Sequence, residues 1–91
     1  MQDDFSDIGL IKAALDKAMV KELSRWEGKI YRCLFQKHLS PTDTCTWLLK
    51  EAAKRKRPLS ISEQTSYSAV LALQREFKGM MKEWLRREGH I

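Results

Sequence analysis

Glycine and proline are scarce in this chain, four and two among 91 residues. So few punctuators leave little room for tight turns, and no stretch alternates apolar with polar in the manner of a half-buried strand. A turn-rich β sandwich or barrel is thereby excluded. No run approaches the ~18–20 apolar residues that a membrane-crossing helix needs, so no membrane partner is expected. Met1-Gln2-Asp3-Asp4 is acidic where a secretory leader is basic, and no apolar leader core follows. The expected location is cytoplasmic, or nuclear if the source is eukaryotic.

The chemistry of catalysis is also thin. Cys33 and Cys45 are too few for a disulfide framework, and a reducing compartment keeps both as thiols. Cys33, His38, Cys45 and His90 follow C-x4-H-x6-C and lack the paired C-x2-C or H-x3-H element of zinc sites. On a helix, five residues turn the chain roughly 140° beyond a full turn. Cys33 and His38 therefore face apart and do not form a nucleophile–base pair. Glu22 with Glu27 and Glu83 with Glu88 are spaced as surface ion-pair partners, and no glycine-rich phosphate loop occurs. No catalytic residue, cofactor, metal or small-molecule substrate is expected, and enzyme is the least favoured class.

What the chain does have is charge, at 32% of residues, with a net +5. The excess is uneven. Residues 1–40 hold seven Lys/Arg against six Asp/Glu, residues 41–57 five against two, and residues 58–91 five against four. The middle segment ends in Lys54-Arg55-Lys56-Arg57-Pro58, where cations are concentrated rather than dispersed. A clustered basic field suits nucleic acid or another acidic surface. Lys50, one turn earlier, joins Lys54 and Arg57 on one helical face. Lys29, Arg32, Arg75 and Lys78 are candidates to extend the patch. The plain alternative is that cations at a helix C-terminus complement the dipole, worth ~0.3–1 kcal/mol each. Lys-Arg-Lys-Arg-Pro also has the composition of a nuclear import signal.

A length of 91 residues gives one domain, 1–91, with room for a single core. Three helices are expected, most simply as an antiparallel bundle. The first opens at Asp4 or Ser6, with Asp7 in its first turn. Its apolar stripe is Ile8, Ile11, Leu15, Met19, Leu23, Trp26, Ile30 and Leu34, at steps of three and four as far as Leu39. One long helix is expected, with Gly28 as its weak point and the alternative a bend or split near Glu27-Gly28. The second helix starts at Ser40-Pro41-Thr42-Asp43, buries Cys45, Leu48, Leu49, Ala52 and Ala53, and stops before Pro58. The third starts at the S-x-x-E capping box Ser60-Ile61-Ser62-Glu63 and buries Tyr67, Val70, Leu73 or Gln74, Phe77, Met80, Met81 and Trp84. Leu59 and Ile61 close the corner beneath that cap, and Gly89 takes the left-handed position after the helix.

Two functional readings result. The first is a small basic helical protein that binds DNA or RNA mainly through phosphates, with Lys50, Lys54, Arg55, Lys56 and Arg57 as the contacting residues, as an accessory or regulatory subunit. Its sharper version, a helix-turn-helix, is disfavoured. The turn contains Pro58 and no glycine, and Ser62, Gln64, Thr65, Ser66 and Ser68 offer no Arg or Lys for base reading. The second reading is a protein-interaction module, an adaptor or inhibitor. It docks a protein partner or a second copy through Trp47, Met80 and Met81, because Trp47 cannot face inward together with Leu48 and Leu49.

Overall fold

The apolar stripe from Ile8 to Leu34 does not fold as one helix. A computed structural model describes residues 2–91 apart from Ser62 and Gln64, with side chains from Ile8 onward. The chain is all-α, with no strand among the described residues. Helix α1 spans Gln2–Glu22, α2 Arg25–Tyr31, α3 Pro41–Ala53 and α4 Tyr67–Arg87. A π-turn, Arg32–Gln36, continues α2. Four helices thus replace the expected three. Asp4 and Ser6, the expected caps, both lie inside α1.

The break falls at Leu23-Ser24, not at Gly28. Ser24-Arg25-Trp26-Glu27 has the S-x-x-E spacing, and both of its reciprocal bonds form. The Ser24 hydroxyl accepts from the Glu27 N–H at 3.2 Å, and the Ser24 N–H donates to Glu27 Oε1 at 3.1 Å. A full cap supplies partners to N–H groups that an entering helix orphans, so restarting the helix here is cheap. Gly28 stays helical and buried. The π-turn closes with the Lys37 N–H on the Arg32 carbonyl at 2.8 Å, and His38 turns the chain out with φ 55°. A left-handed His is uncommon but among the more tolerated side chains there.

The apolar stripe still faces one core despite the break. Leu15, Met19, Trp26, Ile30 and Leu34 are buried, together with Tyr31, Leu48, Val70 and Phe77. Among the described side chains burial begins at Leu15. Ile8 is 64% and Leu10 69% exposed, so this part of α1 lies outside the core. In α3, Ser40 caps with its hydroxyl accepting from the Asp43 N–H at 3.1 Å, and Pro41 takes the first turn as expected. Thr44 and Leu48 make the buried face, with Cys45 and Ala52 partly buried beside them. Leu49 and Ala53, expected inside, are exposed. The Thr44 hydroxyl is fully buried with no hydrogen-bond partner among the described residues.

The third predicted helix begins later than its expected capping box. Ser66 is the N-cap of α4, accepting from the Ala69 N–H at 3.3 Å. The link from α3 is therefore residues 54–66, far longer than a helix-turn-helix allows. Ser62 and Gln64 lie outside the described residues. Leu59 packs against the core as expected, whereas Ile61 is 93% exposed. Val70 and Phe77 are buried, Leu73, Met80, Met81 and Trp84 are partly buried, and Tyr67 is exposed. At the far end the Gly89 N–H bonds the Arg86 carbonyl at 3.1 Å and the His90 N–H the Leu85 carbonyl at 2.8 Å. With Gly89 at φ 80°, this is a Schellman close.

Two substitutions separate the observed break from a bend at Gly28. Ser24→Ala is expected to cost about 1 kcal/mol in urea unfolding, as loss of an N-cap does. Gly28→Ala is expected to stabilise by up to ~1 kcal/mol, because a Cβ there meets nothing within 4 Å. A bend at Gly28 would reverse that ranking. Independently, Thr44→Val keeps the shape and removes an unpartnered buried hydroxyl, so the denaturation midpoint is expected to rise, by about 1 kcal/mol in free energy.

Candidate nucleic-acid interface

The basic run does not lie on a helix. Helix α3 ends at Ala53 with Lys54 as its C-cap, and Arg55, Lys56 and Arg57 follow in irregular chain. A shared helical face for Lys50, Lys54 and Arg57 therefore does not exist. Pro58 has no helix to end, because the helix has already closed.

Two of the four cations have carboxylate partners. Lys54 Nζ lies 3.5 Å from Glu51 Oε1, one turn back, and Lys29 Nζ from α2 lies 3.5 Å from Oε2 of the same carboxylate. Glu51 thus ties α2 to the end of α3. Arg55 pairs with Glu63 in the 54–66 segment, and its guanidinium also lies 5.6 Å from the Trp26 ring centre. Lys29 Nζ is 5.9 Å from the same ring, within cation–π range. Lys50, Lys56 and Arg57 are exposed and pair with no carboxylate among the described residues.

These contacts outline a cleft of about 290 Å³ lined by Arg25, Trp26, Lys29, Arg55 and Glu63. Arg25 and Lys29 come from α2 at i and i+4, one above the other on a helix face. Arg55 reaches them from beyond α3. Trp26 forms the floor with 5% exposure, too little to present its ring to a base. The cleft thus combines three cations, a buried aromatic base and one carboxylate. Lys29 was among the sequence-based candidates to extend the patch. Arg25 was not, although Arg25 and Lys29 at spacing four are a readable signal once α2 is recognised as a separate helix.

Glu63 closes a turn with Ser60, its partner in the S-x-x-E spacing. The Ser60 N–H donates to Oε1 at 2.9 Å, and the Glu63 N–H donates to the Ser60 carbonyl at 3.0 Å. The second bond is to the carbonyl and not to the hydroxyl a capping box uses, so the pair closes a turn instead of starting α4. The Ser60 N–H first, and then the Arg55 guanidinium, hold the Glu63 carboxyl well below its ordinary value of 4.5, at about 2.

The second candidate surface lies elsewhere. Trp47 is half-buried against the core, with Lys37 Nζ 4.5 Å from its ring centre, and Leu49 is the neighbour that faces out, at 57% exposure. Met80 and Met81 are half-buried. Met80 joins Met19 and Trp84 in a groove of about 680 Å³ between α1 and α4. Lys21, Glu22, Glu83, Arg87 and Glu88 also line it, a rim of mixed sign. Trp47 and Met81 take no part in this groove.

Of the other polar candidates, burial pushes the Cys33 and Cys45 thiols above their ordinary value. That is the opposite of an activated nucleophile. His90 stacks on Trp84, with ring centres 5.8 Å apart. Among the described residues no three His, Cys, Asp or Glu side chains are grouped to hold a metal ion, and no helix is long and apolar enough to cross a membrane.

Comparison with known proteins gives no match: no family model fits the chain, and no curated protein and no solved structure is significantly similar to it.

The lowered Glu63 value has a sign that can be checked. A carboxyl whose folded pKa is depressed favours the folded form above its unfolded value, and that contribution fades as pH falls from 4.5 toward about 2. A carbon-detected NMR titration of the Glu63 side chain is expected to give a midpoint near 2. Arg55→Gln is expected to raise the midpoint while leaving it below the ordinary value, because the Ser60 N–H still donates. An ordinary midpoint in the unaltered chain would remove Glu63 from this cleft.

Proposed function

We propose that this chain is a small helical protein that binds nucleic acid through its phosphates, as an accessory or regulatory component and not as an enzyme. The observation that carries the reading is the convergence at one corner of Arg25 and Lys29 from α2 with Arg55 from beyond α3. That corner adjoins Lys54, Lys56 and Arg57 in sequence, with Lys50 one turn back on α3. Cations from two separate segments meeting at one place are not explained by dipole compensation at a single helix end, which the plain alternative requires.

The character of binding follows from the side chains. Lys56, Arg57 and Lys50, exposed and with no carboxylate partner among the described residues, are point contacts for a phosphate backbone, and the cleft offers a partly shielded contact beside them. Trp26 is buried, so stacking on a splayed base is not available at the cleft. The described residues of the 54–66 link form no recognition helix placed for groove reading. Binding is therefore tolerant of sequence and dominated by counterion release.

The groove between α1 and α4 favours a second reading, docking of a protein through Met80 with Met19 and Trp84. Of the residues first considered for such a role, Met80 lies in this groove, and Trp47 and Met81 do not.

Titration of duplex DNA, single-stranded DNA and RNA at several salt concentrations tests the first reading. A slope of log K against log salt of about −3 or steeper is expected. Replacing Lys54, Arg55, Lys56 and Arg57 together by Gln is expected to flatten it by about two units or more, and Arg25→Gln with Lys29→Gln by about one. Micromolar binding that survives both sets of changes with the same slope would move the site elsewhere. Absence of binding to all three nucleic acids at low salt would end the reading and leave the groove as the functional surface.

A further inference from the structure

A carboxylate already stands where this reading places a phosphate. Glu63 lines the same cleft as Arg25, Lys29 and Arg55, and its partner is the Arg55 guanidinium. We propose that Glu63 is an internal stand-in for a nucleic-acid phosphate, and that binding transfers Arg55 from the Glu63 carboxylate to a backbone phosphate. The inference rests on the phosphate-binding reading above and adds to it the regulation of the site.

The guanidinium fork matches a carboxylate and a phosphate with the same two parallel N–H donors, so the exchange conserves the geometry of Arg55. It also leaves neither group stranded. When Arg55 changes partner, Glu63 keeps the 2.9 Å bond from the Ser60 N–H. Its side chain is 17% and that of Arg55 32% exposed, so solvent reaches both. Glu63 itself lies between α3 and α4 and in neither helix, so its movement unwinds neither. Arg55, meanwhile, is positioned independently of Glu63 by its contact with the buried Trp26 ring.

The resident carboxylate changes what the cleft accepts. Glu63 neutralises Arg55 as Glu51 does Lys29, so two of the three cations lining the cleft already have carboxylate partners. A small anion must then compete alone with a carboxylate tethered a few residues away, which has a high effective concentration. A nucleic-acid strand is held at the same time by Lys56 and Arg57, so its phosphate competes on equal terms. Glu63 therefore discriminates against isolated anions and in favour of a polyanion.

Anisotropy titrations of a labelled 20-residue single strand at one fixed salt concentration test this with four variants. Glu63→Gln keeps the acceptor for the Ser60 N–H and removes the charge. Glu83→Gln, at the groove between α1 and α4, makes the same change in net charge away from the cleft. The other two are Arg55→Gln and the Arg55→Gln/Glu63→Gln pair. Glu63→Gln is expected to tighten binding about fivefold, the scale of one partly exposed ion pair. Glu83→Gln is expected to tighten it clearly less, and Glu63→Gln on the Arg55→Gln background to give no gain. In the unaltered chain, NMR resonances of the Arg55 Nε–H and the Glu63 side-chain carboxyl are expected to shift together at saturation with the strand. Failure of every variant to bind overturns the phosphate reading and the exchange with it. Salt-dependent binding in which Glu63→Gln gains no more than Glu83→Gln, or gains equally without Arg55, overturns the exchange alone. So does a Glu63 resonance unmoved at saturation.

Discussion

The Tyr31 phenol holds the architecture together. Its side chain is fully buried, and a buried hydroxyl must find a partner or forfeit the solvation it had in water. It finds one on α1, donating to Asp16 Oδ1 at 2.5 Å, while Lys12 lies 3.6 Å from the other oxygen of that carboxylate. Burial, and then the Asp16 carboxylate beside it, push the phenol's pKa far above its ordinary value, so it remains a donor. The ring packs edge-on to Phe77 of α4 at 5.8 Å and against Phe35 of the π-turn at 5.2 Å. One residue thus joins α1, α2, the π-turn and α4. Helix α2 has seven residues, about 10 Å of rise. Fixing Tyr31 at one end and burying Trp26 near the other leaves it no freedom to rotate. Arg25 and Lys29 are therefore presented from a rigid stub, and the basic cleft inherits its geometry from a core contact.

Electrostatics at that corner are arranged by few carboxylates. Glu51 is shared by Lys29 and Lys54 and draws α2 toward the end of α3. Each of these pairs is solvent-exposed enough to contribute little to stability on its own, about 0–1 kcal/mol. Their consequence is positional. By engaging Lys29 and Lys54, Glu51 places two cations within reach of one another that would otherwise repel. Glu63 does the same for Arg55 against Arg25 and Lys29. A dense cationic corner on a marginally stable small chain needs such internal counter-charges, because unrelieved self-repulsion works against the compact state. The charge run read in sequence as a patch is in the folded chain a set of ion pairs plus Lys50, Lys56 and Arg57, which have no carboxylate partner among the described residues.

Much of the fold was legible because helical periodicity is a strong signal. The buried set on the first stripe, the Ser40-Pro41 start and the Gly89 close were each read from residue type and spacing. The misreadings share one physical origin, the ambiguity of local hydrogen bonding. Ser24-x-x-Glu27 was hidden because the apolar stripe runs through it at unbroken spacing, and periodicity cannot see a cap that leaves the face intact. Ser60-x-x-Glu63 was plain in sequence, but the Glu63 N–H bonds the Ser60 carbonyl and the helix is capped by Ser66 instead. The same S-x-x-E spacing serves an isolated turn as readily as a helix start. The next residues along the chain decide between the two, and Thr65 and Ser66 are poor helix formers that favour caps and turns. In α3 the exchange of Leu49 for Thr44 on the buried face was illegible, since residue chemistry alone ranks Leu inside and Thr outside. Arg25 was missed in the candidate site because the helix that presents it had been merged into a longer one.

The break at Leu23-Ser24 also decides how the two surfaces are related. Glu22 lines the groove between α1 and α4, and Arg25 lines the basic cleft. Three residues of chain span at most about 11 Å, so the two surfaces adjoin across this joint. In an uninterrupted helix, Glu22 and Arg25 would share a face, as positions three apart do, and one surface would run past both. The Ser24 cap redirects the chain between them, so that Glu22 stays with Met80 and Trp84 while Arg25 turns toward Arg55. The relation between the two candidate surfaces is therefore set by the geometry of one serine cap.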